Sequence, residues 1–108
     1  MSKNVILDKS FDFAVRIVNL NKYLTSDKKE FVLSKQILRS GTAIGALVRE
    51  AQQAESNADF IHKLAISLKE ADETDYWLSL LQKTDYINEE QFLSLKKDIE
   101  ELIKLLIS

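Results

Sequence analysis

The chain has 108 residues, a formal net charge of −2, and 45% hydrophobic against 30% charged residues; this excludes disorder and gives room for one core but little for a second. It contains no proline, two glycines and no cysteine, which excludes a disulfide framework, a thiolate metal site and a cysteine nucleophile, and points to a chain that is nearly all helix. A pI near 5.4 excludes a general basic footprint for nucleic acid and leaves room only for a local patch.

In "MSKNVILDKSFDFAVRIVNL" every apolar stretch is cut by Asp8, Lys9, Asp12 or Arg16, so no signal peptide is expected. No apolar run approaches the ~20 residues of a membrane span. A cytoplasmic protein that does not enter membranes is the expectation.

Apolar residues at helical spacing, Leu7, Phe11, Ala14, Ile17, Val18 and Leu24, predict a first helix over roughly residues 7 to 24. Asp27 with Glu30 has the form of a capping box, which starts a second helix near Lys28. Its inward stripe is Leu33, Ile37, Ile44, Val48 and Ala51. After a break around Glu55, Ser56 or Asn57 caps a third helix that runs to about Lys83. Asn88 with Gln91 repeats the capping-box pattern, and Phe92, Leu95, Ile99, Leu102, Ile103 and Leu106 line one face of a fourth. Connections this short place consecutive helices antiparallel, so the expected fold is an all-α, up-down-up-down four-helix bundle forming one domain over residues 1–108.

The third helix puts Phe60, Ile61, Leu64, Ala65, Leu68, Ala71 and Leu78 on one broad face, and Ile66, Trp77, Leu80 and Leu81 on another side among Glu70 and Glu73. A second apolar side in so small a domain is most simply covered by another copy of the chain, so a homo-oligomer is expected. Gly41 and Gly45 lie one turn apart on the second helix, in "RSGTAIGALVRE". Each costs about 0.5–1 kcal/mol relative to alanine in a helix interior. They open a smooth strip that a neighbouring backbone, in this subunit or the next, can approach closely. The oligomer-contact candidates are therefore Gly41, Gly45, Glu70, Glu73, Trp77 and Leu81.

Candidate chemistry is sparse. His62 is the only histidine and has no second metal-ligating partner nearby. Glu70, Asp72, Glu73 and Asp75 lack the Glu-x-x-His motifs of di-metal bundles and read as a solvated face, with Asp72 and Asp75 near enough to the apolar side to be paired. The Gly41–Gly45 segment lacks the lysine and Ser/Thr of a phosphate loop. No catalytic residue, metal, cofactor or small-molecule substrate is expected, and the chain is read as no enzyme. Basic residues are scattered, but Arg39, Arg49 and Lys63 repeated around a ring would build a basic rim.

Two stretches, "QILRSGTAIGALVREAQQAES" and "DFIHKLAISLKEADETDYWLSLL", resemble the bacterial four-helix-bundle proteins first noticed as open reading frames in 23S rRNA intervening sequences. The resemblance rests on the arginine-serine-glycine run, Glu50-Ala51, Lys69-Glu70-Ala71, and Glu73 with Trp77. It covers about residues 10 to 85 and departs from the family pattern at Ala43 and Leu47. It implies a bundle that assembles as a homopentamer with no known enzymatic activity. A related branch is similar to accessory proteins of diversity-generating retroelements, which bind nucleic acid and a reverse transcriptase. The expectation is a non-catalytic, self-associating bundle that scaffolds or binds a partner; the alternative is a nucleic-acid-binding accessory protein for structured RNA or DNA.

Overall fold

The structure, a computed structural model, describes residues 5–108. Four helices follow in chain order: α1 (Val5–Ser26), α2 (Leu33–Ala51), α3 (Asn57–Lys83) and α4 (Glu89–Ile107). Among the described residues there is no strand, and no helix is long and apolar enough to cross a membrane. Each helix packs on its neighbours in chain order, α4 returns more lightly onto α1, and the diagonal pairs do not approach. The result is a closed four-helix arrangement around one row of buried side chains.

Two of the helix starts form as their sequences predict. Ser56 caps α3 by accepting a hydrogen bond from the Asp59 N–H, and Asn88 with Gln91 makes a reciprocal capping box on α4. The start of α2 differs. Residues 27–32 form a turn, and Val32 at the N-cap provides no side-chain cap. Glu30 instead reaches forward, and its carboxylate accepts hydrogen bonds from the N–H groups of Val32, Leu33 and Ser34 at 3.2, 2.9 and 2.7 Å. Three of the orphan donors at the helix start are thus held by one buried side chain. The turn closes because Lys29 adopts a left-handed backbone (φ 54°) and the Glu30 N–H returns to the Leu24 carbonyl. Asp85 (φ 67°) does the same after α3, where the Tyr86 N–H bonds back to the Leu81 carbonyl and the Asp85 N–H to that of Gln82.

The core contains Phe13, Ile17, Leu20 and Leu24 of α1, Ile37 and Ile44 of α2, Ala71, Leu78 and Leu81 of α3, and Leu95, Ile99 and Leu102 of α4. In α1 the buried stripe is Phe13–Ile17–Leu20–Leu24, while Phe11 and Val18 are exposed. One expected face needs correction. In α3 the buried stripe is Ser67, Ala71, Thr74, Leu78 and Leu81, whereas Ile61 and Ala65 face solvent and Phe60, Leu64 and Leu68 are half-buried. Small and hydroxyl-bearing residues fill the centre of α3 because α2 lies too close for larger ones.

Those hydroxyls are satisfied internally. Ser67 donates to the Ile44 carbonyl at 3.0 Å. Thr74 Oγ1 lies 2.8 Å from the Glu70 carbonyl and 2.9 Å from Ser40 Oγ; with one proton per hydroxyl, Thr74 donates to the carbonyl and Ser40 donates to Thr74. Thr74→Val should therefore lower stability by about 1–3 kcal/mol because it orphans the buried Ser40 hydroxyl, whereas Thr74→Val with Ser40→Ala should recover most of that loss. Thermal melts followed by circular dichroism check this; a double variant no better than the single would refute the pairing.

Candidate functional site

Three consecutive residues of α2 face three different neighbours, which accounts for the arginine-serine-glycine run. Arg39 extends outward over α3, Ser40 points to Thr74 inside the α2–α3 seam, and Gly41 faces α1. A Cβ on Gly41 would come within 2.8 and 2.9 Å of the two Cγ atoms of Ile17. A Cβ on Gly45 would lie 3.1 Å from the carbonyl oxygen of Ser10. The smooth strip is real, and it serves the α1–α2 seam of the same chain. Gly41 and Leu81, both buried inside the subunit, are thereby corrected as oligomer contacts, while Gly45 is half-buried and lines an open groove on the surface.

The other three contact candidates meet Arg39 on the outer surface of the α2–α3 seam. Arg39 Nη2 bonds Glu73 Oε2 at 2.5 Å, and its Nη1 lies 3.3 and 3.2 Å from the two oxygens of Glu70. Glu73 Oε2 also accepts from Trp77 Nε1 at 3.0 Å. Glu70, Glu73 and Trp77 can act together because spacings of three and four residues stack on one side of a helix. The Tyr76 ring meets Trp77 edge-on at 5.0 Å between centroids. Trp77 packs its ring against the core, which corrects its reading as an aromatic stranded without a partner in its own subunit.

Electrostatics follow from this geometry. The Trp77 N–H and then the Arg39 guanidinium hold the Glu73 carboxyl below its ordinary value against the opposing effect of burial. Glu73, then Glu70, raise Arg39. About half of the Arg39 side chain remains exposed, so each ion pair contributes only about 0–1 kcal/mol. Glu70 Oε1 is buried and off the hydrogen-bonding direction of Arg39 despite its short distance. The network aligns α2 with α3, and two donors on one oxygen hold the Glu73 carboxylate in its charged form.

The basic candidates separate. Arg39 is engaged as described, and Lys63 pairs with Glu50 at 3.1 Å. Arg49 is exposed and has no carboxylate partner among the described residues. It borders an open groove of about 690 Å³ between α1 and α2, with Leu7, Phe11, Ala14, Gly45 and Ala46 as its apolar lining and Asp8 and Asp12 at its rim. Asp75 is paired, receiving Lys96 on both oxygens at 2.8 and 2.9 Å, while Asp72 and His62 are exposed. Among the described residues no group of three or more His, Cys, Asp or Glu is placed to hold a metal ion.

The row that sequence reasoning missed lies beside this groove. Phe11, Val15 and Val18 are 61, 46 and 38% exposed, and at spacings of four and three they form one apolar stripe along α1. Sequence alone offered two stripes on α1, and only the burial of Phe13, Ile17, Leu20 and Leu24 shows that Phe11, Val15 and Val18 lie outside.

Closed packing of four helices and a cross-seam ion-pair network define a small all-α helical protein. The model of the 23S rRNA-intervening sequence protein family matches residues 2–108, and the chain belongs to that family. Among solved structures it is similar to a protein of unknown function from the S23 ribosomal protein family of Bacteroides thetaiotaomicron VPI-5482, with 64% identity, a TM-score of 0.97, and coverage of 99% of this chain and 96% of that one. No curated protein matches the chain.

Proposed function

We propose that this chain is a non-catalytic, self-associating helical bundle that closes into a ring of identical subunits, five by the family resemblance, and acts as a scaffold for a partner. The observation that carries the reading is the exposed apolar row Phe11–Val15–Val18 on α1. A ring needs two different faces that meet head to tail, and exposed Ile61 and Tyr76 on α3 supply apolar residues for the second. The order of cross-helix contacts supports an up-down-up-down, antiparallel path. Ser10 meets Gly45 while Asn21 meets Ser34, Ser40 meets Thr74 while Glu50 meets Lys63, and Lys9 meets Glu101 while Arg16 meets Asp98.

Light scattering should give a mass that is a multiple of 12.4 kDa for the native chain. Val15→Glu should shift it to smaller species with helicity retained, since a charge in an apolar seam is costly and on a solvated surface is not. A native chain that stays monomeric at micromolar concentration would refute self-association. Structured RNA or DNA as the partner is the second reading, favoured by Arg49, the one candidate cation without a carboxylate partner among the described residues. Binding through it would weaken with salt, and Arg49→Ala would flatten the salt slope by about one phosphate contact.

A further inference from the structure

The α1–α2 turn and the α3–α4 turn share one end of the bundle. Tyr23 near the end of α1 borders a groove with Gln91 at the start of α4, and Ser40 in α2 reaches Thr74 in α3, which brings the start of α2 beside the end of α3. The two turns carry opposite charge. Lys28 and Lys29 lie on the first and Lys22 and Lys35 on the helices that flank it, all exposed and without carboxylate partners among the described residues. Asp85, Glu89 and Glu90 stand exposed on the second. Asp27 and Lys83 dilute each cluster by one charge of the other sign. Between the lysines, Phe31 and Val32 are 61 and 70% exposed, although the backbone beneath them is fixed by the Glu30 carboxylate and the Glu30–Leu24 hydrogen bond. A rigid basic tip with an apolar apex therefore sits beside an acidic tip on the same end face.

We propose that this end face is a docking surface for the same end of a second copy, related by a two-fold axis lying in the interface between the tips. Such an axis sets the basic tip of each copy over the acidic tip of the other, so that every contact occurs twice. Phe31 and Val32 then leave water against the half-buried Tyr86 and the aliphatic stems around it. The contact uses none of the α1 row and stands independently of the ring. With transverse extents of 22 and 20 Å, the end face offers each copy roughly 440 Å², about half of what a standard interface takes from each partner. One pair of ends binds weakly, and a ring would multiply the contact by presenting all of its ends together.

Sedimentation equilibrium over a wide concentration range, at low salt and at about 0.5 M salt where screening shortens to about 4 Å, tests the contact. The native chain should approach twice its unit mass at low salt and high concentration and return to the unit mass in high salt. Lys28→Glu with Lys29→Glu makes both tips acidic and should abolish doubling; Glu89→Lys with Glu90→Lys makes both basic and should do the same. An equimolar mixture of the two variants should double again, because each supplies the tip that the other lacks. Phe31→Asp, which touches no helix interior, should also prevent doubling, and circular dichroism confirms that each variant is folded. A native mass that does not change with salt, or a mixture that remains at the unit mass, would overturn the end-on contact. Val15→Glu should change the unit mass and move salt-sensitive doubling to higher concentration without abolishing it, which separates this contact from the lateral assembly.

Discussion

Gly41→Leu should strongly destabilise the α1–α2 seam, with a loss of about 3 kcal/mol by overpacking, partly offset by up to about 1 kcal/mol of recovered helix propensity. The first side-chain atom already falls 2.8 Å from Ile17. Ile17 is itself fully buried, and its β-branch leaves few rotamers into which to retreat. Each kcal/mol corresponds to a melting shift of roughly 4–8 °C in a domain of this size, so a thermal melt reads the effect easily. Ile17→Ala removes both atoms that Gly41 would strike, and alone should cost about 2–5 kcal/mol. Combined with Gly41→Leu it should cost less than the sum, which a double-mutant cycle measures. Unchanged melting with a reduced mass would instead move the glycine strip to a surface between subunits.

Glu30 controls the second large effect. Glu30→Ala frees three backbone donors at the start of α2 and should cost about 1–3 kcal/mol. Burial pushes the Glu30 carboxyl up, but hydrogen bonds from the N–H groups of Leu33, Ser34 and Val32 outweigh it and hold the group below its ordinary value of 4.5. A carboxyl depressed in the folded state stabilises the fold above the unfolded value, and that contribution is lost as the pH falls through the folded one. The native chain should therefore melt above Glu30→Gln at neutral pH, and the gap should close in melts taken progressively below about pH 4.5. A gap that is constant with pH would mean that Glu30 acts by its shape and not by its charge.

Sequence periodicity carried much of the fold. Asn88 and Gln91 marked α4 because a capping box uses side chains close in sequence, and Ser56 marked α3 for the same reason. Asp27 and Glu30 misled because the same residue types fit a different geometry, in which the acid caps forward onto residues 32 to 34. The turn before α2 had no glycine to announce it, since Lys29 takes the left-handed conformation itself. Inward faces were harder to read in α1 and α3. Two apolar stripes compete along α1, and nothing local shows which of Phe11 and Phe13 meets the core. In α3 the seam holds Ser67 and Thr74, whose burial depends on hydrogen-bond partners more than twenty residues away in α2.

The candidate site was legible as a set of residue types and obscure as an arrangement. Arg39, Glu70, Glu73 and Trp77 stand out in sequence, but only the placement of α2 beside α3 shows that the arginine meets both acids and that the indole shares one oxygen with it. Gly41 and Gly45 did mark a close approach. The neighbour was α1 of the same chain, since a missing side chain records that something is near and not which helix it is.

The bundle measures 43 Å along its long axis and 22 by 20 Å across, and its radius of gyration of 14.0 Å exceeds the roughly 13 Å of a compact chain of this length. A single subunit therefore diffuses as a short rod and leaves a gel-filtration column ahead of a sphere of equal mass. Adding copies side by side widens the short dimensions and brings the frictional ratio toward that of a sphere. Joining copies end to end lengthens the rod and raises the ratio. Friction thus separates the two modes of growth even when mass does not.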